Sequence, residues 1–374
     1  MRHAAAIAGL ILALALAAWW GLRASAAAVV PTAPAPGLWD RGLVLAPPPG
    51  RASAPAAWKQ SARDLAWCQL PAVDRGDDRE PSAEDVERVK AALVVSADQS
   101  RVETEQLYAR WAGQLRTKGD ERSQAAADML DPGEGAKRHL FDLARNTRDP
   151  VVYGWAMSAC LQQPGCELSA QRWAQLDPGN LAPWLAEAQQ ARQRGDAQAL
   201  REAVYQLGLA QRNDDYGRTL MALEYGLAQA DQPGLQMGIE VMQPFSDLLV
   251  RRISGYGVGE YCAATGLKTD PSRRANCLAA ADNLWRRADD LPQAQWALGL
   301  AKKSGAQDQA LWAQRQAELG ALQERATALS QRMTQALERT GNLCGGLLQT
   351  REYFGTFAAI GELAALRQLA PEQN

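Results

Sequence analysis

Histidine is nearly missing from this chain. Among 374 residues there are two, His3 and His139, and the first falls in an apolar N-terminal segment. A metal centre built from several imidazoles is therefore excluded, and a Ser-His-Asp or Cys-His site would have to form around His139 alone. That residue stands in KRHLFDLAR, one position before Leu140 and beside Lys137 and Arg138, where a solvated or partly packed helix side chain is the simpler reading. A basic stripe is also missing. The 40 Lys and Arg and 42 Asp and Glu are interspersed, with a net charge of −2. That argues against a nucleic-acid partner, because phosphate neutralisation needs clustered cations. No run of alternating β-branched residues signals a sheet. No CxxC pair signals a structural zinc site, and no cofactor is expected.

What the chain does have begins at its N-terminus. Arg2 is followed by an uncharged apolar run from Ala4 to Leu22, and Ala24-Ser25-Ala26 supplies small residues of the kind an export peptidase cleaves after. The run also approaches the length of a bilayer span, with Trp19 and Trp20 at one end. Residues 1–26 thus read as a signal peptide or as an inner-membrane anchor through residues 4–22. A spacer follows over residues 27–57, in which seven of the 19 prolines fall between Pro31 and Pro55. Proline fixes φ and removes amide donors, so this stretch is expected to run as an extended tether. The remainder, residues 58–374, is expected to hold the folded part.

Six cysteines agree with export. Cys160 and Cys166 bracket one short loop, Cys262 and Cys277 another, and both read as disulfides in an oxidising compartment. Cys68 and Cys344 remain, near opposite ends of the folded part; fifteen connectivities are open to six cysteines, and if these two pair, the first and last helices touch.

The folded part is rich in Ala, Leu, Gln, Arg and Glu, all good helix formers. Helices are expected from about Ser82 to Val95, then over Ser100–Thr117, Glu121–Leu130, Ala136–Arg145, Val151–Gln162 and Leu168–Leu176. Between them stand Lys118-Gly119-Asp120, Asp131-Pro132-Gly133 and Asp149-Pro150. Such lengths and turns describe antiparallel helical hairpins, and the fold class is all-α.

One stretch carries a family likeness. From Asn180 to about Asp214 the chain resembles a tetratricopeptide repeat. Leu176-Asp177-Pro178 matches the usual repeat ending, Trp184 the large apolar residue of the first helix, and Ala188 the small residue where helices cross. Gly195-Asp196 occupies the turn, and Leu200, Val204 and Leu207 supply the second helix's inward stripe. Glu187 replaces the usual leucine and Arg212 the closing proline. A second fragment, Trp296-Ala-Leu-Gly with Ser304-Gly305, comes one residue out of phase. The resemblance implies a stack of hairpins with a concave binding face.

Beyond it, Pro244–Asn276 breaks the pattern. ISGYGVGEYC places Gly255, Gly257 and Gly259 in alternation, but Glu260 stands where a phosphate loop needs its last glycine and no strand precedes. A close helix crossing or a turn, in which glycine lets backbones approach, is the better account. Leu311, Leu319, Leu322, Ala326, Leu329, Met333 and Leu337 then draw one apolar stripe along a helix ending at Gly341, and Tyr353–Leu369 reads as a capping helix. Trp155, Trp173, Trp184, Trp285, Trp296 and Trp312 all fall in helices, where most should be core. Carboxylates are the remaining enzymatic route. The candidates Asp214-Asp215, Asp289-Asp290 and Glu260 sit where capping alone would put acids, so no catalytic residue is assigned. The expected function is a non-enzymatic, periplasmic scaffold of a bacterial cell envelope that binds another envelope protein or a peptide. The alternatives are a peptidoglycan enzyme using carboxylates only, or an exported small-ligand binder using the glycine-rich stretch and the Cys262–Cys277 loop.

Overall fold

The computed structural model describes residues 101–163, 167–230, 233–250, 256–263, 267, 269–306, 308–340 and 344–368. The N-terminal apolar segment, the proline-rich spacer, the Ser82–Val95 helix, Cys68, Cys166, Gly255 and Gly341 lie outside them.

The described residues are helical, with no strand among them beyond one isolated bridge, Asn180 to Arg212. The first helix, α1, covers 101–116. It is followed by α2 (Glu121–Leu130), α3 (Glu134–Asn146), α4 (Pro150–Leu161), α5 (Ala170–Leu176), α6 (Ala182–Arg194) and α7 (Ala197–Leu209). Then come α8 (Gly217–Leu227), α9 (Leu235–Val250), α10 (Tyr256–Tyr261), α11 (Pro271–Arg287) and α12 (Leu291–Lys303). The chain closes with α13 (Gln309–Thr340), α14 (Leu347–Ile360) and α15 (Glu362–Gln368).

Local chemistry sets these boundaries. Gly119 and Gly195 take left-handed backbone at φ 73° and 70°, where a β-carbon would be strained. The aspartate after each then caps the next helix. Asp120 accepts from the amide of Ser123, and Asp196 accepts from those of Gln198 and Ala199. Asp149 with Pro150, Asp270 with Pro271 and Asp290 ahead of Pro292 open α4, α11 and α12 in a related way. Gly305, at φ 69°, repeats the device between α12 and α13, so the turn expected at Ser304-Gly305 is present.

Consecutive helices pair as hairpins from α2 to α7, with α2 on α3 and α4, α5 on α6 and α6 on α7. The sequential order then breaks. In a strict array α8 would follow α7, but α7 packs along α11, which continues into α12 and α13. Small residues allow that crossing, since a β-carbon on Gly208 would stand 3.0 Å from that of Ala279. Helices α8 and α9 pair with each other, Leu220 and Ile239 join the core built by α1 to α6, and α14 packs on both of them. Phe245 of α9 stacks on Phe354 of α14, with centroids 4.4 Å apart, and meets Phe357 edge-on.

Two further features bear on the expected boundaries. Helix α9 runs through Pro244, so the region expected to depart from the repeat pattern begins inside a continuous helix. The expected single capping helix is two, α14 and α15, because Gly361 at φ 86° turns the chain between them. A β-carbon there would lie 3.2 Å from Asp289. The α13 stripe is found at Leu319, Leu322 and Ala326, which are buried, and at Leu329, which packs against them, while Leu311 is half-buried and outside that core. Trp155 and Trp173 are fully buried, and Trp184, Trp285, Trp296 and Trp312 pack partly buried around the α6–α7–α11–α12 core.

Cys262 and Cys277 are disulfide-bonded, joining the end of α10 to α11. Both are fully buried. Cys160 and Cys344 are also in disulfides; the Cys160–Cys166 and Cys68–Cys344 pairings themselves involve residues outside the described set. No described helix is long and apolar enough to cross a membrane.

Candidate functional site

Four connections converge on one edge of the molecule: the α5–α6 turn, the α7–α8 turn, the α11–α12 turn and the start of α15. Asn180, completely buried, is the hub of the first two. Its amide nitrogen donates to Asp177 (2.8 Å) and to the carbonyl of Asp214 (2.6 Å), while its oxygen accepts from the amides of Asp214 (2.9 Å) and Ala182 (3.2 Å). Asp177, also buried, pairs with Arg212 and accepts the Tyr216 hydroxyl. Backbone bonds from Leu181 to Arg212 and from Gln211 and Arg212 to Gly179 close the connection. Arg212, where the tetratricopeptide pattern has proline, is thus held by both its backbone and its side chain.

Tyr216 is the one non-glycine residue among those described with positive φ, at 61°. Left-handed backbone costs a tyrosine roughly 1–2 kcal/mol, and its surroundings offset that cost. Its carbonyl accepts from Trp155 Nε1 at 2.8 Å. Its ring lies beside Trp173, over Gly154, where a β-carbon would come within 2.8 Å of both rings. Burial pushes its phenol well above the usual tyrosine range.

The candidate acids can now be placed. Asp214 Oδ1 accepts from the Tyr216 amide at 2.8 Å. Burial raises its carboxyl above the ordinary aspartate range, against the lowering effect of that amide and of Arg218. Asp289 accepts from Arg218 Nε at 2.9 Å. Two acids 75 positions apart in sequence therefore flank one guanidinium, and Asp289 in turn acts on Asp214. Their neighbours are structural: Asp215 accepts from the Gly217 amide, and Asp290, buried, caps α12 through the Gln293 amide. Asn213 ties the same edge together by donating to Gln293 at 2.7 Å. The carbonyl of Asp289 accepts from Leu363 and the carboxylate of Glu362 accepts from the Leu291 amide, which seats α15 on the α11–α12 turn.

Beside this edge a cleft of about 430 Å³ opens between α8 and α14. Asp214, Arg218 and Thr219 line it, with Ala222, Leu223, Ala358 and Ala359 as the apolar walls. Its size falls within the range of small-molecule sites. Arg218 and Thr219 were not singled out in the sequence, because nothing in GRTLMAL marks them apart from ordinary helix residues.

The other candidates lie elsewhere. Glu260 is exposed and pairs with Arg192 of α6. Gly257 is a contact glycine, whose β-carbon would fall 2.3 Å from the Ala188 carbonyl oxygen, so α10 crosses α6 at the small residue noted in the repeat. Gly259 has open space around it. His139 carries a partner that the sequence did not announce: its Nδ1 lies 2.6 Å from Oδ2 of the buried Asp128, which Arg116 also contacts. Asp128 sits on α2 and His139 on α3, so only the hairpin pairing could have revealed the contact. No group of three or more His, Cys, Asp or Glu among the described residues could hold a metal. Comparison with protein families, with curated proteins and with solved structures gives no match to this chain.

Proposed function

We propose that the chain is an exported helical-hairpin module of a cell envelope that serves as a scaffold and binds a partner protein or peptide. The observation that carries this reading is the hairpin stack itself, α2 to α7 continued by α11 to α13. Stacked hairpins present long lateral surfaces, and their rigidity suits holding a partner in register. The α6–α7 hairpin keeps the tetratricopeptide features quoted above: Ala188 and Val204 are fully buried and Gly195 forms the turn. The Cys262–Cys277 bridge supports the oxidising compartment that export implies.

Tyr205 and Leu209, one turn apart on α7, are large apolar residues left exposed at 46% and 56%, and they provide the test. A photo-crosslinking residue placed at Leu209, in cells making the full chain at native level, should yield one discrete adduct in the envelope fraction. The same residue at exposed Glu121 of α2 should not. Identical adduct patterns at both sites, or recovery of the chain from the cytosol, would reject the scaffold reading. A second reading, a small-ligand binder, is favoured by the cleft beside Asp214 and Arg218.

A further inference from the structure

The cleft between α8 and α14 holds two opposite charges that are not paired with each other. Arg218 is held from behind by Asp289 through Nε, and its two terminal nitrogens make no hydrogen bond to a described residue. Asp214 is committed through Oδ1 to the Tyr216 amide, and its second oxygen likewise has no partner among the described residues. The two side chains line the same space and act on each other electrostatically, yet Arg218 has its ion pair with Asp289 and not with Asp214. Both are fixed in place. Asn180 grips the Asp214 backbone from both sides, and Leu363 donates to the Asp289 carbonyl.

A guanidinium with its terminal nitrogens open is a receptor for a carboxylate. A partly buried carboxylate with a spare oxygen favours an N–H donor, since leaving it unsatisfied is costly. A simple anion would gain from Arg218 but meet Asp214, and a simple cation would meet the reverse. The ligand that satisfies both carries the two groups close together. We propose that this cleft binds a carboxylate whose adjacent carbon bears an N–H, as in an α-amino acid or the last residue of a peptide. The carboxylate would sit on Arg218 with help from the Thr219 hydroxyl, and the N–H on Asp214. The apolar walls, three of them alanine, would receive a small side chain. This site does not rest on the scaffold reading and stands or falls separately from it.

The test is calorimetric titration of the full chain with four probes: L-alanine, N-acetyl-L-alanine, L-alaninamide and acetate. At least one of the first two should bind, with alaninamide and acetate weaker by about tenfold or more, a difference of about 1.4 kcal/mol. Preference for alanine identifies a free amino acid as the ligand; preference for the acetylated form identifies a peptide C-terminus. Arg218→Gln should weaken binding at least about tenfold, as should Ala359→Trp, which fills the cleft from an exposed position. Circular dichroism establishes that each variant is folded, and if Arg218→Gln is not, Ala359→Trp decides. No binding of either alanine form at millimolar concentration would overturn the proposal. So would acetate binding equal to alanine, or binding that survives Ala359→Trp.

Discussion

Asn283 shows what a single buried side chain contributes here. From α11 its amide donates to the carbonyls of both Leu207 and Ala210, each at 2.7 Å, satisfying the end of α7 where helical partners run out. Asn283→Ala should leave those carbonyls buried and unpaired and cost on the order of 1–3 kcal/mol, read as a fall in the urea midpoint with unchanged slope. Asp214 makes the opposite prediction. Its carboxyl is held above the ordinary value of 3.8 mainly by burial, so the folded state binds its proton more readily than the unfolded state. The sign follows: this group favours folding at pH below its ordinary value and loses that contribution as pH rises through the raised value. Asp214→Asn keeps an acceptor for the Tyr216 amide and removes the titration. Its stability relative to wild type should therefore improve as pH rises from about 4 to neutrality, as thermal melts at successive pH values would show. A constant offset across that range would contradict the assignment. At this scale the sequence was only half legible. Asp214 and Asp289 stand out as acids in turns, but their meeting at Arg218 depends on how α8 and the α11–α12 turn dock, and no local pattern encodes that.

Helices were the most legible level. Glu121–Leu130 is found where expected, because Asp120 caps its start and Asp131-Pro132 ends it. The boundary at Gly361 was not read, because Phe354, Phe357 and Ile360 keep helical spacing up to the break and only the left-handed glycine interrupts it. Periodicity tells which face of a helix is apolar but not which helix covers it, and the neighbour of α7 was hidden for that reason. The glycine-rich stretch reads as a crossing or a turn, and Gly257 against Ala188 makes it a crossing. Gly257→Ala must drive a methyl group into backbone at a distance of 2.3 Å, so α10 has to move. A cost of about 1–3 kcal/mol is expected, with a lowered melting temperature. Gly259→Ala, with nothing within 4 Å, serves as the control and should change little. Equal effects of the two would show that α10 does not lie against α6.

For the molecule as a whole, the disulfide and the stacking order matter most. The Cys262–Cys277 link closes a loop with a sequence separation of 15, and replacing both cysteines by serine should remove about 3 kcal/mol of stability. Purified protein denatured without reductant should show no reactive thiol, since every described cysteine is bonded; reduction should expose them. Detecting thiols before reduction in material taken from the cell would count against an oxidising compartment.

The placement of α11 against α7 carries a consequence for how the chain is made. Ala203, Val204 and Leu207 begin a core with Leu185 and Ala188 of α6, but the α7 face at Gly208 is covered only when the stretch beginning at Pro271 arrives, after α8, α9 and α10 have already emerged. During vectorial synthesis or translocation that face stays wet and adhesive, and closing so wide a gap is slow compared with forming a local hairpin. A nascent chain stopped short of Pro271 should therefore aggregate or recruit a chaperone, whereas one released beyond Lys303 can close the gap itself.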